Sequence, residues 1–282
     1  MPELPEVETV RRGLIKKVKG KKILNTTVLW NNIIAYPTKE EFIKNIANQT
    51  IKDIKRRGKF LMFELDDYYL ISHLRMEGKY FIKTKEPLTK HDHVIFKLDT
   101  NEELRYNDTR KFGKMYLVKK DELNITPIAK LGKEPDDKDL NITYLKEKLN
   151  KNKPIKTLLL DQEIITGIGN IYADEILYLS KIYPETKGCN LTNKNLQDII
   201  DNTKIILSKA IELGGTTIHT YTSVDGITGR FQQELLVHGK KECPKGHKIE
   251  KIKVNTRGTY YCPKCQKNKS SKSRWFFYYF LL

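Results

Sequence analysis

Residues 154–184 read PIKTLLLDQEIITGIGNIYADEILYLSKIYP, and this stretch decides the character of the C-terminal half of the chain. Pro154 suits a helix start and Leu158, Leu159 and Leu160 continue it; TGIGN then breaks the pattern. A second helix is predicted over 171–180, stopping before Pro184, so the unit is helix, turn, helix. Downstream, a further amphipathic helix from about 193 carries Ile199, Ile200, Ile206 and Leu207 and ends at Gly214-Gly215, where left-handed backbone carries little strain. Upstream, residues 120–150 are polar, with Pro127, Pro135 and Asp136-Asp137, and read as a linker with one short helix.

Before the linker the pattern changes from helical to strand period. KILNTTVLW, KFLMFEL, YYLISHL, KYFIK, HVIFKL, ELRYN and KMYLVK follow one another over 22–119, separated by turn residues such as Asp66-Asp67 and Thr100-Asn101. An antiparallel sandwich or barrel is expected. Ahead of it, Pro5 suits a first helical position, Glu6 and Glu8 suit the positive helix end, and Val7, Val10 and Leu14 recur at helical spacing, predicting a helix over about 5–19. The fold class is therefore α+β.

Charge narrows the function. Lys and Arg number 52 against 35 Asp and Glu, a formal charge of +17, which suits a polyanionic partner whose counterions are released on binding. Nucleic acid is the expected partner. No charged-then-apolar leader opens the sequence, and the apolar run over 275–282 is far below the ~20 residues that span a bilayer, so an intracellular protein with no membrane partner is expected. Three of the four cysteines lie between 243 and 265, which suggests a metal site in a reducing compartment.

Two local features carry chemistry on their own terms. Pro2 directly follows Met1, and removal of the initiator methionine would leave a secondary amine able to form an iminium with a sugar C1′; equally, Pro2, Glu3, Pro5 and Glu6 can simply start a helix. In TGIGN the glycines allow close backbone approach, and Asn170 can cap the next helix and present its amide to phosphate.

The string MPELPEVETVRRGL resembles the start of bacterial formamidopyrimidine-DNA glycosylases, whereas endonuclease VIII enzymes differ just after the first Pro-Glu. The resemblance continues through RRGKFLMFEL, SHLRMEGKY, LRYNDTRKFGKM, the quoted 154–184 stretch, GGTTIHTY and the cysteine-rich end. It implies an N-terminal β-sandwich with flanking helices, a helix-two-turn-helix domain and a zinc β-hairpin. In this chain the divisions fall at 1–130 (catalytic sandwich), 131–150 (linker), 151–238 (helical DNA-binding domain), 239–267 (zinc hairpin) and 268–282 (a tail outside the family pattern). The implied activity is excision of oxidised purines from duplex DNA, followed by cleavage of the strand at the abasic site, by a monomer in the bacterial cytoplasm.

By the same resemblance Pro2 is the nucleophile, Glu3 the acid/base, and Lys59 a catalytic lysine on backbone phosphate. Met76, Arg110 and Phe112 match the residues that fill the gap left by the flipped nucleotide: Met76 the vacancy, Phe112 the wedged step, Arg110 the orphaned cytosine. His73, Lys156, Asn170 and Arg257 match phosphate contacts, and Glu6 and Glu77 shape the lesion pocket. The loop after Gly214 is expected to cover the flipped base. The family pairs two CxxC knuckles, but here the first reads CPKGH, so one structural zinc is expected on Cys243, His247, Cys262 and Cys265, with His247 standing in one position late. Two other readings remain: an endonuclease VIII-like enzyme for oxidised pyrimidines, and an inactive zinc-hairpin protein that only binds damaged DNA.

Overall fold

The computed structural model describes residues 1–216 and 229–267. These fall into two compact units, Met1–Glu134 with Leu207–Gln233, and Pro135–Ile206 with the residues from Glu234 onward.

The first unit opens with α1 (Leu4–Val18), whose Val7, Val10, Leu14 and Val18 are buried at the spacing of one helical face. The strands follow as β1 (Ile23–Val28), β2 (Ile34–Tyr36), β3 (Asp53–Arg57), β4 (Phe60–Glu64), β5 (Tyr68–His73), β6 (Lys79–Lys83), β7 (Asp92–Leu98), β8 (Glu103–Asn107) and β9 (Lys114–Lys119), with α2 (Lys39–Ile46) between β2 and β3. They form a four-stranded sheet ordered β1-β7-β8-β6 and a five-stranded sheet ordered β2-β9-β5-β4-β3. One apolar core joins residues of both sheets, α1 and α2, among them Leu14, Phe42, Phe63, Phe96 and Tyr106. Each such side chain contributes about 1.5–3 kcal/mol when removed from water. All seven strands expected from sequence are present. The segment 34–57, without clear alternation, adds the parallel edge strand β2, helix α2 and β3.

Two connections carry residues singled out in the sequence. Residues 74–78 lead from β5 to β6, and 108–113 lead from β8 to β9; both therefore cross from one sheet to the other. Pairing of His73 with Lys114 on one side and of Lys79 with Asn107 on the other places the two crossings side by side.

The second unit contains α3 (Ile142–Leu149), α4 (Ile155–Leu159), α5 (Asn170–Leu179) and most of α6 (Asn193–Glu212), then the hairpin β10 (Glu250–Val254) with β11 (Arg257–Tyr261). Ile155, Leu159, Ile165, Ile168, Tyr172 and Ile176 are buried, which fulfils the helix, turn, helix reading of 154–184. The expected cap differs: Gly169 holds the N-cap position of α5 and Asn170 is its first helical residue. No helix among the described residues is long and apolar enough to cross a membrane. Residues 217–228 of the loop expected to cover the flipped base, and the tail over 268–282, lie outside the described residues.

Candidate active site and metal centre

At the start of the chain, Pro2 and Glu3 are buried while Met1 is exposed. Met1 acylates the Pro2 nitrogen, so a free secondary amine at Pro2 arises only when Met1 is cleaved. Glu6 organises this end. Its Oε2 accepts the Glu3 N–H at 2.8 Å, and its Oε1 accepts the Thr216 N–H at 2.7 Å and the Thr216 hydroxyl at 3.1 Å. A carboxylate with three such donors is fixed in place, and it ties the entry of α1 to a segment 210 residues away.

That segment is the base of the loop that starts at Gly214. Gly214 and Gly215 have φ of 76° and 77°, and a Cβ on Gly215 would lie 2.6 Å from Glu6 Oε1, so only glycine fits under the carboxylate. Across the base, Arg230 N–H donates to Leu213 O and Phe231 N–H to Gly215 O, closing the loop's two ends together.

Lys59 is the second residue of the two-residue turn joining β3 and β4, which is closed by the Arg57–Phe60 pair and opened by Gly58 with φ 55°. A positive φ there lets the turn follow the twist of the strands. α1 packs on β3 and β4, and Lys59 is buried to 5% exposure.

His73 pairs with Phe60 across β4 and β5, with its ring edge-on to Phe60 at 4.5 Å. Its Nδ1 accepts the Arg75 N–H at 2.9 Å, so the neutral ring carries its proton on Nε2 and presents a donor there. Burial, with the Arg75 and Lys59 charges added, pushes the His73 pKa down to about 3. The unfolded chain therefore takes up this proton near pH 6.5 and the native protein only near 3. Stability linked to His73 is present in full above pH 6.5 and is lost as pH falls towards 3. NMR of the ring protons should show no titration of His73 between about pH 8 and 5, and His73→Gln should flatten the acid-side stability profile. A midpoint near 6.5 in the native protein would contradict this environment.

Met76, Arg110 and Phe112 stand on the two sheet crossings, with Met76 36% and Phe112 50% exposed. The Arg110 guanidinium lies 4.8 Å from the Phe112 ring centroid, a cation–π stack. Glu77, on the first crossing, accepts a hydrogen bond from the Thr109 hydroxyl on the second.

In the second unit Asn170 Nδ2 donates to Gly258 O at 3.0 Å, which sets the amide beside Arg257 at the exposed tip of β11. Lys156 is wholly buried: its ammonium bonds Asp174 and the Asn170 carbonyl, so its charge is used inside the protein. Asp174 also accepts from His238 Nδ1 at 2.7 Å and from the Tyr260 N–H at 3.2 Å, and Glu175 takes the N–H groups of residues 236–238. Removing one partner of a buried ion pair typically costs about 3–5 kcal/mol. These acids were missed in the sequence, where two adjacent carboxylates inside an apolar helix were the available signal.

The donor atoms of Cys243, His247, Cys262 and Cys265 all lie within 4.8 Å of one another. His247 Nδ1 is 3.8 Å from Cys262 Sγ and 3.4 Å from Cys265 Sγ, separations that suit neighbouring ligands around one tetrahedral ion. Gly246, with φ 71° and open space around it, absorbs the extra residue of CPKGH while Cys243 N–H still bonds His247 O at 2.9 Å. Three thiolates and an imidazole fit one structural zinc, as expected.

Residues 1–115 match the family described as formamidopyrimidine-DNA glycosylase N-terminal domain, 131–222 its H2TH domain, and 243–268 the zinc finger found in FPG and IleRS. A formamidopyrimidine-DNA glycosylase of Bacillus subtilis is 48% identical over 95% of this chain and all of that protein. The chain belongs to the formamidopyrimidine-DNA glycosylase family. Another family member, from Oceanobacillus iheyensis, is 46% identical over 95% of the chain and 99% of its own length. Among solved family structures, a Lactococcus lactis FPG mutant bound to Fapy-dG-containing DNA superposes with TM-score 0.89 at 43% identity, covering 95% of this chain and all of that one. The Lactococcus lactis Fpg complex with abasic-site DNA gives 0.88 at 43% identity over 94% and 100%.

Proposed function

We propose that the mature chain excises 8-oxoguanine and formamidopyrimidines from duplex DNA and then cleaves the strand, with the Pro2 amine as nucleophile. The enzyme is a DNA glycosylase of its family, and strand cleavage at the abasic site accompanies that membership. The observation that carries the assignment of Pro2 is the buried Pro2-Glu3 start, anchored through Glu6 to the base of the 214–231 loop.

Once Met1 is gone, Pro2 carries a free secondary amine, and α-amino groups in water titrate at ~8, low enough to leave a neutral, nucleophilic fraction at physiological pH. Its lone pair attacks C1′ while the bond from C1′ to the base breaks. Glu3 supplies the proton that the sugar oxygen or departing base requires. The sugar opens as an iminium on Pro2, which acidifies the 2′ carbon; loss of that proton expels the 3′ phosphate, and a second elimination expels the 5′ phosphate. Water then releases Pro2.

The other residues prepare the substrate. Lys59, His73 through Nε2, Asn170 and Arg257 hold backbone phosphates, in keeping with the chain's charge of +17. Lys156 serves by holding Asn170 in place. Met76, Phe112 and Arg110 fill the gap and meet the opposite cytosine, Glu6 and Glu77 shape the pocket, and the structural zinc keeps the hairpin folded. The reaction belongs in the bacterial cytoplasm, at the nucleoid.

Borohydride trapping on duplex DNA containing 8-oxoguanine opposite cytosine tests this reading. Mass spectrometry should locate the cross-link at Pro2. A cross-link at a lysine, or full activity in protein retaining Met1, would overturn it.

A further inference from the structure

We propose that Asp108 and Thr109 are positioning residues that make the two sheet crossings one preorganised wedge, so that Met76, Arg110 and Phe112 enter the duplex together. The proposal rests on the reading of those three side chains as the gap-filling set. Both crossings leave the same corner of the sandwich, and a buried frame beneath them joins what the sequence separates.

Asp108 is fully buried, and its carboxylate accepts the Arg110 N–H at 3.0 Å and the Gly113 N–H at 2.8 Å. An aspartate bonding the N–H two residues on forms a tight turn, and here it closes around Lys111, whose φ is 58°. The Asp108 carbonyl in turn takes His93 Nε2 at 2.8 Å, and its N–H donates to His91 O at 3.0 Å. The base of the turn is thus fixed on both sides, and residues 109–112, with Arg110 and Phe112 among them, stand exposed above it. The crossing that carries Met76 rests on the same frame. A Cβ on Gly78 would come within 2.2 Å of the Tyr106 hydroxyl and one on Gly113 within 1.7 Å, so both backbones seat on one buried phenol. Above it, the Thr109–Glu77 hydrogen bond links the two crossings directly.

A wedge that had to be ordered on contact with DNA would lose side-chain and loop freedom at that moment, and a prebuilt frame avoids the loss. Extrusion of the base should therefore depend on Asp108 and Thr109, while the chemistry at an abasic site already open should not.

The test compares excision of 8-oxoguanine opposite cytosine in intact duplex with strand cleavage at a preformed abasic site. Thr109→Val removes one exposed hydrogen bond and should lower kcat/KM on intact duplex about fivefold. Asp108→Asn turns an acceptor into a donor facing Gly113 N–H and should lower it about 50-fold. Both should change cleavage at the abasic site less than about twofold, the smaller effect following from a step that needs no extrusion. Thermal melting screens Asp108→Asn for folding, and Thr109→Val answers the question even if that variant unfolds. Thr109→Val added to Met76→Ala should cost less than the product of the two separate losses, because the bond then has one wedge residue fewer to hold in register. Equal losses on both substrates, or full additivity with Met76→Ala, would overturn the proposal. Met76→Ala and Phe112→Ala alone are the controls. If they show the split and the positioning variants do not, the preorganised frame is wrong; if they too act equally on both substrates, the gap-filling reading falls and takes the proposal with it.

Discussion

Glu3→Gln is expected to lose base excision by on the order of 10³-fold, because an amide cannot supply the proton that a carboxyl supplies. The side chain keeps its volume, and Glu6 bonds the Glu3 backbone N–H, which the substitution leaves in place. Binding to lesion-containing duplex should therefore hold within about threefold, with the loss confined to the chemical step. Single-turnover excision of 8-oxoguanine, measured beside equilibrium binding to the same duplex, separates the two quantities. Excision at the parental rate would remove Glu3 from proton transfer. An equal collapse of binding would instead make Glu3 part of the fold of the N-terminal turn, as its 3% exposure would then imply.

The second large effect concerns the hairpin. Protein purified without added metal should carry close to one zinc per chain by elemental analysis, and His247→Ala should carry little. Cys243 and Cys262 sit inside the small core formed with Tyr178, Val237 and Ile249, so metal and packing stabilise the same few residues. A β-hairpin of this size has little independent stability, and loss of the ion should release Arg257 and Gly258 together. Since Gly258 O holds the Asn170 amide, affinity for abasic-site DNA should fall about tenfold or more, with a shallower salt dependence. Normal zinc content in His247→Ala would assign the fourth position to water. Zinc-free protein that binds and excises normally would show a hairpin folded without metal.

Much of this enzyme was legible in the order of its residues. The start of α1, the seven alternating strands, the helix, turn, helix unit and the four zinc ligands each announce themselves within a few positions. Helical and strand periods, turn residues and ligand spacing are all local, so a linear reading finds them. Even the displaced His247 could be anticipated, because a glycine before it allows the extra residue in the turn. The segment 34–57 was less readable, since β2 is three residues long and α2 is eight, too short for a period to establish itself.

What the sequence by itself determined is thus a local inventory: the seven alternating strands, the helix, turn, helix unit and the four residues that could hold a metal ion. What only the tertiary structure decided is how charges and loops are used. Glu6 is bound to Thr216, Asn170 to Gly258 and Glu77 to Thr109, pairs separated by 210, 88 and 32 residues. Lys156 reads as a cation available to DNA until Asp174 is seen to take its charge, and only the packed chain shows Asp108 buried with the Arg110 and Gly113 N–H groups on its carboxylate. The physical reason is that a buried carboxylate has to find its donors wherever the packed chain brings them, and the packing that selects those donors is a property of the whole core, which no local pattern encodes.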